Sequence, residues 1–215
     1  MFEGIAFDPD GLVPCVAQDH RSGEVLTLAY MNEEALEMTL QTGEMHFYSR
    51  SRGELWHKGE TSGNVQRLRQ LRYDCDGDAL VALVEPAGPA CHTGERSCFY
   101  RELGGSASTE ADAPRVDGEP APAAHEALAA LERTLRERQA GSPEGSYTAE
   151  LLADPERLAG KVHEEAEEVT RAAREESDGR VAEEAADLVY HLSVLLRSRG
   201  VDQAQVLEVL NDRRR

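Results

Sequence analysis

The sequence predicts two domains, a strand-rich α+β domain followed by an all-α helical bundle. Residues 104–124 read GGSASTEADAPRVDGEPAPAA, with no Leu, Ile, Phe, Tyr, Trp or Met and a single Val. Such a stretch buries too little apolar surface to offset the entropy of ordering it, so it reads as a linker. The two sides also differ in texture. All four Cys, the one Trp and all four Phe precede it, and long Ala/Leu/Glu/Arg segments follow it. With 215 residues and 40% hydrophobic content there is material for two small cores. The expected boundaries are 1–104, a linker 105–124, and 125–215.

In the first domain, short apolar or alternating runs predict strands at Val13–Ala17, Val25–Tyr30, Met45–Ser49, Arg67–Tyr73 and Ala79–Val84. One helix is expected over Asn32–Thr42. Asn32 suits its cap, Glu33 and Glu34 its first turn, and Gly43 its end. In the second domain, helices are expected at 123–139, 148–153, 155–176, 180–199 and 202–212. The sets Val162, Ala166, Val169, Ala173 and Leu188, Leu192, Leu195 recur at helical spacing and are the expected packing stripes.

The formal net charge is −18. It is shared by both halves, so it serves solubility and disfavours a nucleic-acid binder, which needs a basic face. No apolar run reaches the roughly 18 residues of a membrane span. The start, MFEGIAFDPDG, lacks the basic and apolar regions of a secretory signal. A cytoplasmic protein with neither nucleic acid nor membrane as partner is expected. In a reducing compartment, three clustered cysteines read as metal ligands, and Cys15, standing apart, reads as a core thiol.

The densest chemistry is Tyr73–Asp74–Cys75–Asp76–Gly77–Asp78. In an extended chain side chains alternate, which would put Asp74, Asp76 and Asp78 on one face and Cys75 on the other. Carboxylates suit a hard cation such as Mg²⁺, and thiolates suit Zn²⁺. Cys75 with Cys91 and Cys98 would give zinc three protein ligands and leave a position for water, whose pKa zinc lowers toward about 7. The acidic residues also sit at positions of a calcium-binding loop. Ala79 stands where that loop needs Gly, and a strand-like run follows instead of a helix, so calcium sensing is rejected. A surface Asp cluster beside core cysteines is the bland alternative.

Between the expected strands, residues 49–64 supply Arg50, Arg52, Lys58, Thr61, Ser62 and three Gly, a composition suited to phosphates but without Walker spacing. Trp56 either stacks on a base or plugs the core, and core is the better reading. The runs WHKGETSGN at 56–64, YDCDGD at 73–78, CHTG at 91–94 and CFY at 98–100 resemble the phosphoribosyl-AMP cyclohydrolases of histidine biosynthesis, over residues 10–104. The resemblance implies hydrolytic opening of an adenine ring between N1 and C6. It implies Zn²⁺ on Cys75, Cys91 and Cys98, Mg²⁺ on Asp74, Asp76 and Asp78, and a homodimer whose zinc site draws cysteines from both subunits. Attack at a ring carbon needs an activated water and a proton acceptor, for which His92 is the candidate and His57 the runner-up.

In the second domain, Glu165 and Glu168 lie three apart on one expected helix, and Glu184 and Asp187 three apart on the next. Two antiparallel helices would bring these pairs across a groove. Converging carboxylates repel, so the arrangement makes sense with Mg²⁺ between them, gripping nucleotide phosphates and activating a water. Glu164 is a candidate further ligand or base. A solvated acidic face is the competing reading. The pattern EExxE…ExxD resembles the α-helical nucleoside-triphosphate pyrophosphohydrolases. Ser146–Tyr147–Thr148, Lys161–Val162 and ADLVYH at 186–191 narrow this to phosphoribosyl-ATP pyrophosphohydrolase over 125–213, with Lys161 a candidate for substrate binding. His163 stands where that family leads one to expect a small residue, and Arg213–Arg214–Arg215 reads as a solvated tail.

Together the resemblances imply a bifunctional enzyme of histidine biosynthesis acting on phosphoribosyl-ATP and then phosphoribosyl-AMP, with chain order the reverse of reaction order. One rival keeps the first half and makes the second a housekeeping nucleotide pyrophosphohydrolase, separable by substrate profile. A non-enzymatic rival, a zinc-stabilised module with a helical dimerisation arm, is separable by metal-dependent turnover.

Overall fold

The computed structural model describes residues 2–101, 124–141 and 145–214. The expected linker lies outside them, apart from Ala124, as does Arg215. The described residues divide into two compact units, one on either side of residues 121–122.

In the first unit the alternating segments pair into a six-stranded sheet. Its elements are β1 (Val13–Asp19), β2 (Val25–Met31), α1 (Glu33–Thr42), β3 (His46–Ser49), β4 (Glu54–His57), β5 (Gln66–Tyr73) and β6 (Leu80–Pro86), and the strand order is β4-β3-β2-β1-β6-β5. Only the β1–β6 pairing is parallel, and it sets Cys15 beside Leu80 and Ala17 beside Ala82. Every second residue of both strands therefore points into a core completed by Leu26, Met31, Ala35, Leu36, Met45 and Phe47. α1 starts where Asn32 accepts the N–H of Ala35 at 2.8 Å and stops at Gly43, left-handed with φ +71°. A bridge between Glu44 and Arg67 ties the start of β5 to the segment before β3.

Glu54–His57 falls inside the expected loop of residues 49–64. The structure makes it a strand, paired His46 to His57 and Ser49 to Glu54. Four residues are too few to show a period. What defines the hairpin is its turn, where the N–H of left-handed Gly53 donates to the carbonyl of Ser49 at 2.8 Å.

Residues 74–79 close the β5–β6 hairpin. Gly77 sits there at φ +77°, and a Cβ on it would stand 2.0 Å from the carbonyl oxygen of Gly4. Gly77→Ala therefore combines left-handed strain with a backbone clash. It is expected to lower stability by more than about 2 kcal/mol. Gly11→Ala, at φ +75° with nothing within 4 Å, carries the strain without the clash. Urea unfolding of the two variants checks the difference, and equal losses would refute the clash.

The second unit is helical: a 3-10 turn Ala124–Glu126, then α2 (Ala127–Gly141), α3 (Tyr147–Ala153), α4 (Pro155–Glu175), α5 (Asp178–Ser198) and α6 (Gln203–Asp212). Ser146, Asp154, Ser177 and Asp202 cap the last four. Leu135, Leu151, Leu158 and Val194 form the core. The expected stripes are shifted. Val162, Ala166 and Val169 are half-buried and Leu192 is 40% exposed, while the deepest positions of α4 and α5 include Glu165, Glu184 and His191. Helical period locates faces but does not say that the most buried one is apolar. No described helix is long and apolar enough to cross a membrane.

Candidate functional site

Beyond β6 the chain carries its cysteines on a segment without regular structure. The N–H groups of Ala90 and Cys91 donate to the carbonyls of Arg96 and Glu95, each at 3.0 Å, so the segment folds back on itself. Cys98 N–H donates to Leu26 at 2.8 Å and Ser97 Oγ to the Val25 carbonyl at 2.7 Å, which fixes the far end to β2. This brings Cys91 and Cys98 together. Burial works against the Cys91 thiolate, yet the Thr93 hydroxyl, donating to Sγ at 3.1 Å, and nearby N–H groups hold its pKa below the usual thiol range. Cys98 is pushed up, first by desolvation and then by the neighbouring Cys91, so Cys91 ionises first.

Lys58, 8% exposed, reaches this pair. Burial lowers its pKa, and the charges of Cys98 and Cys91 act in the opposite sense. His92 is exposed, with Nδ1 3.9 Å from Cys91 Sγ. His57 points elsewhere: its ring stacks on His46 at 4.6 Å, and Nε2 lies 2.8 Å from a Glu44 oxygen but off the line of a hydrogen bond.

The acidic turn departs from the extended-chain expectation. Residues 75–78 bend, so Asp74 and Asp76 do not sit opposite Cys75. Cys75 Sγ is 3.9 Å from Asp76 Oδ1, and ligand atoms of Asp74, Cys75 and Asp76 lie within 4.8 Å of one another. The hairpin closure imposes the bend, since Asp74 and Ala79 exchange backbone and side-chain hydrogen bonds. Slight desolvation opposes ionisation of Asp74, but the Ala79 N–H and the Asp76 and Asp78 side chains hold it below the usual carboxylate range. Asp78, bonded to Asp74 and facing Asp76, is raised. Among the described residues, no group of three ligands joins Cys75 to Cys91 and Cys98.

The phosphate-loop candidates are divided. Arg50 stacks on the Tyr30 ring at 3.8 Å and Arg52 pairs with Glu54 at 3.0 Å, both at the tip of the β3–β4 hairpin. Lys58 leaves the opposite end of β4, about 10 Å away at strand rise, with Thr61 and Ser62 exposed on the following turn. Trp56 packs against the core, its ring 5.3 Å from that of Phe47.

Thiol reactivity checks this placement. Cys15 is fully buried and its pKa is pushed up to about 12 by desolvation. Cys75 and Cys98 are exposed. Iodoacetamide on metal-free protein at pH 8 is expected to modify exposed Cys75 first and to spare Cys15 until urea is added. Peptide mass spectrometry reads this directly, and early loss of Cys15 would contradict its burial.

In the second unit, α4 and α5 lie side by side and bring Glu165, Glu168 and Glu184 together, with ligand oxygens within 4.8 Å of one another. Glu165 and Glu184 are 5% and 4% exposed, which no solvated acidic face would be. Desolvation raises the Glu184 pKa, Arg180 opposes that, and Glu168 and Asp187 add to the rise. Each of the three carboxylates is held from outside by a cation on its own helix. Lys161 lies 3.3 Å from Glu165, Arg171 3.4 Å from Glu168, and Arg180 is ion-paired to Glu184. Glu164 faces outward, 2.9 Å from Lys161, which lowers its pKa.

Three further residues, His191, Tyr147 and Arg180, belong to this cluster. His191, 5% exposed, donates Nδ1–H to the Asp187 carbonyl at 2.9 Å and lies 3.5 Å from Glu165 Oε1. Its Nε2 is hydrogen-bonded to the Tyr147 hydroxyl at 3.1 Å. Arg180 is the third. The spacing of Arg180 four before Glu184 and of His191 four after Asp187 was the available signal.

A family model of Phosphoribosyl-AMP cyclohydrolase matches residues 27–100, and one of Phosphoribosyl-ATP pyrophosphohydrolase matches 128–214. The chain is 50% identical to the histidine biosynthesis bifunctional protein HisIE of Bacillus subtilis, over 97% of this chain and 94% of the relative. It is 48% identical to the protein of that name from Deinococcus radiodurans, over 96% and 90%. For the one from Thermus thermophilus the identity is 46%, over 98% and 92%.

Proposed function

The chain belongs to the histidine biosynthesis bifunctional proteins, and we propose the following division of labour between its two sites. It is a hydrolase with a pyrophosphohydrolase half and a cyclohydrolase half. The second unit splits phosphoribosyl-ATP at the α–β phosphate bond with one water, giving phosphoribosyl-AMP and pyrophosphate. The first unit adds a second water at C6 of the adenine ring. The N1–C6 bond breaks, N1 takes up a proton, and C6 becomes a carboxamide carbon.

The observation that carries this reading is the pair of ligand clusters of opposite hardness. Glu165, Glu168 and Glu184 converge in one unit, and Cys91 and Cys98 in the other. We assign Mg²⁺ to the carboxylates, with Asp187 at the edge, and to Asp74, Asp76 and Asp78. We assign Zn²⁺ to Cys75, Cys91 and Cys98. The donors fit, since Thr93 and Lys58 favour the thiolate forms that a soft cation needs. When bound, zinc supplies Lewis acidity that makes hydroxide available near neutral pH. His92 takes the proton from the attacking water. Arg50, Arg52, Thr61 and Ser62 offer donors to the substrate phosphate, and His57 remains the second candidate base. In the second unit Lys161 turns to the triphosphate, which strips Glu164 of its cation and makes it the more basic group there.

The zinc site is shared between two subunits. Within one chain Cys75 keeps company with Asp74 and Asp76, so a third thiolate for Cys91 and Cys98 comes from a second copy. Apolar residues left exposed on α5 and α6, Val189, Leu192, Leu207 and Leu210, also suit a homodimer. The protein works in the cytoplasm, where its cysteines stay reduced.

Supplying phosphoribosyl-ATP to the metal-loaded protein tests the reading by product chromatography. Pyrophosphate and transient phosphoribosyl-AMP should precede the ring-opened product. Preference for free nucleotides would favour the housekeeping rival. The proposed domains 1–104 and 125–215 should each fold and keep one activity as separate fragments, and loss of both would refute the boundaries.

A further inference from the structure

Cys91 and Cys98 are seven positions apart on a segment with neither strand nor helix, so their relative position must come from particular contacts. Cys98 is tied directly to β2 through the Leu26 carbonyl. Cys91 is not. Before it, Ala90 is buried in the core and Ala87 N–H donates to the Val65 carbonyl at 2.9 Å; after it, the N–H groups of Cys91 and Ala90 donate to Glu95 and Arg96, so on that side Cys91 is placed by whatever fixes residues 95–96.

Two things hold residues 95–96: the bonds of Ser97 and Cys98 to β2 next along the chain, and the Arg96 side chain. Its Nη2 donates to Asp19 Oδ2 and its Nε to Glu24 Oε2, each at 2.5 Å. The Asp19 and Glu24 side chains are only 8% and 16% exposed. Asp19 ends β1, and its Oδ1 accepts the N–H groups of Arg21 at 2.8 Å and Ser22 at 3.3 Å. Its backbone N–H donates to the Glu24 carbonyl at 2.8 Å. One guanidinium thus clamps both ends of the β1–β2 turn and joins them to the cysteine segment. The planar fork is what allows it, since two nitrogens of fixed separation meet two carboxylates at once. A lysine ammonium on its flexible stem does not reproduce that geometry.

We propose that Arg96 is a positioning residue for the thiolate pair: by fastening residues 95–96 to the β1–β2 turn it sets Cys91 at the distance from Cys98 that one zinc ion requires. The inference rests on the zinc reading above. It differs from a role in stability, because the clamp acts on the register of one ligand relative to the other.

The test uses the full-length protein, with zinc affinity measured by competition against a chromophoric chelator and with Co²⁺ as a spectroscopic probe. Arg96→Lys keeps the charge and loses the fork. Removing one partner of an enclosed ion pair threatens folding, so the triple variant Asp19→Asn, Glu24→Gln, Arg96→Met removes all three charges together. Both are expected to bind zinc about 10–100-fold more weakly. The cobalt ligand-field bands should shift at temperatures where circular dichroism and pyrophosphate release are those of the parent. The band position reports ligand geometry in folded molecules, which a loss of stability alone does not move. Unchanged zinc affinity and unchanged bands in whichever variant folds would overturn the role of Arg96. Parent protein without stoichiometric zinc, or with zinc unaffected by Cys91→Ser, would instead overturn the zinc reading and the inference with it.

Discussion

Cys91→Ser is expected to lower ring opening by at least about a thousandfold and to leave pyrophosphate release within about twofold. The replacement is nearly isosteric, so packing around this 8% exposed position survives. What is lost is the thiolate. Cys91 is the thiol that Thr93 and local N–H groups hold below the usual range, and serine has no anionic form near neutral pH. With one thiolate fewer the site no longer holds zinc tightly, and the reaction reverts to a water whose pKa is about 15.7 instead of about 7. The thousandfold figure is conservative against that gap. Phosphoribosyl-AMP supplied directly, with zinc content measured on the same sample, reads the loss. Ring opening retained with zinc absent would mean that another group activates the water. Pyrophosphate release lost in a folded variant would deny that the two sites are independent.

The sequence showed this cysteine because CHTG and CFY are local motifs, legible without a fold. It did not show Arg96 in the same segment, whose importance comes from contacts with Asp19 and Glu24, more than seventy positions away. The same limit explains the acidic turn. Alternation is a property of extended chain, and it fails where Asp74 and Ala79 close a hairpin. Most strands and helices were legible, because runs such as Val13–Ala17 are short and apolar and because Asn32 announces the start of α1. β4 was not, being four residues long and flanked by polar chain. In the helical unit the carboxylate spacing was readable, but the burial of Glu165, Glu184 and His191 was not. A sequence period cannot tell which face a neighbouring helix will cover.

That burial underlies the second large effect. Glu168→Gln is expected to cut pyrophosphate release about a hundredfold or more at fixed Mg²⁺ and to leave ring opening of supplied phosphoribosyl-AMP unchanged. Glu168 is the half-buried member of the trio, so an amide fits where the carboxylate stood without a new buried desolvation cost. The substitution removes one of three converging negative charges. A hard divalent cation depends on such charges for affinity, and an amide oxygen offers only a dipole in return. Lys161, Arg171 and Arg180 already neutralise part of the acidic cluster, so losing the Glu168 charge weakens the field that attracts Mg²⁺. Raising Mg²⁺ should therefore recover part of the activity, and Mn²⁺, followed by its electron paramagnetic resonance signal in the absence of substrate, should bind more weakly to the variant. Recovery at high Mg²⁺ separates a ligand from a base, because a lost base is not restored by more metal. An unchanged Mn²⁺ affinity with pyrophosphate release intact would return the trio to an ordinary acidic seam between α4 and α5.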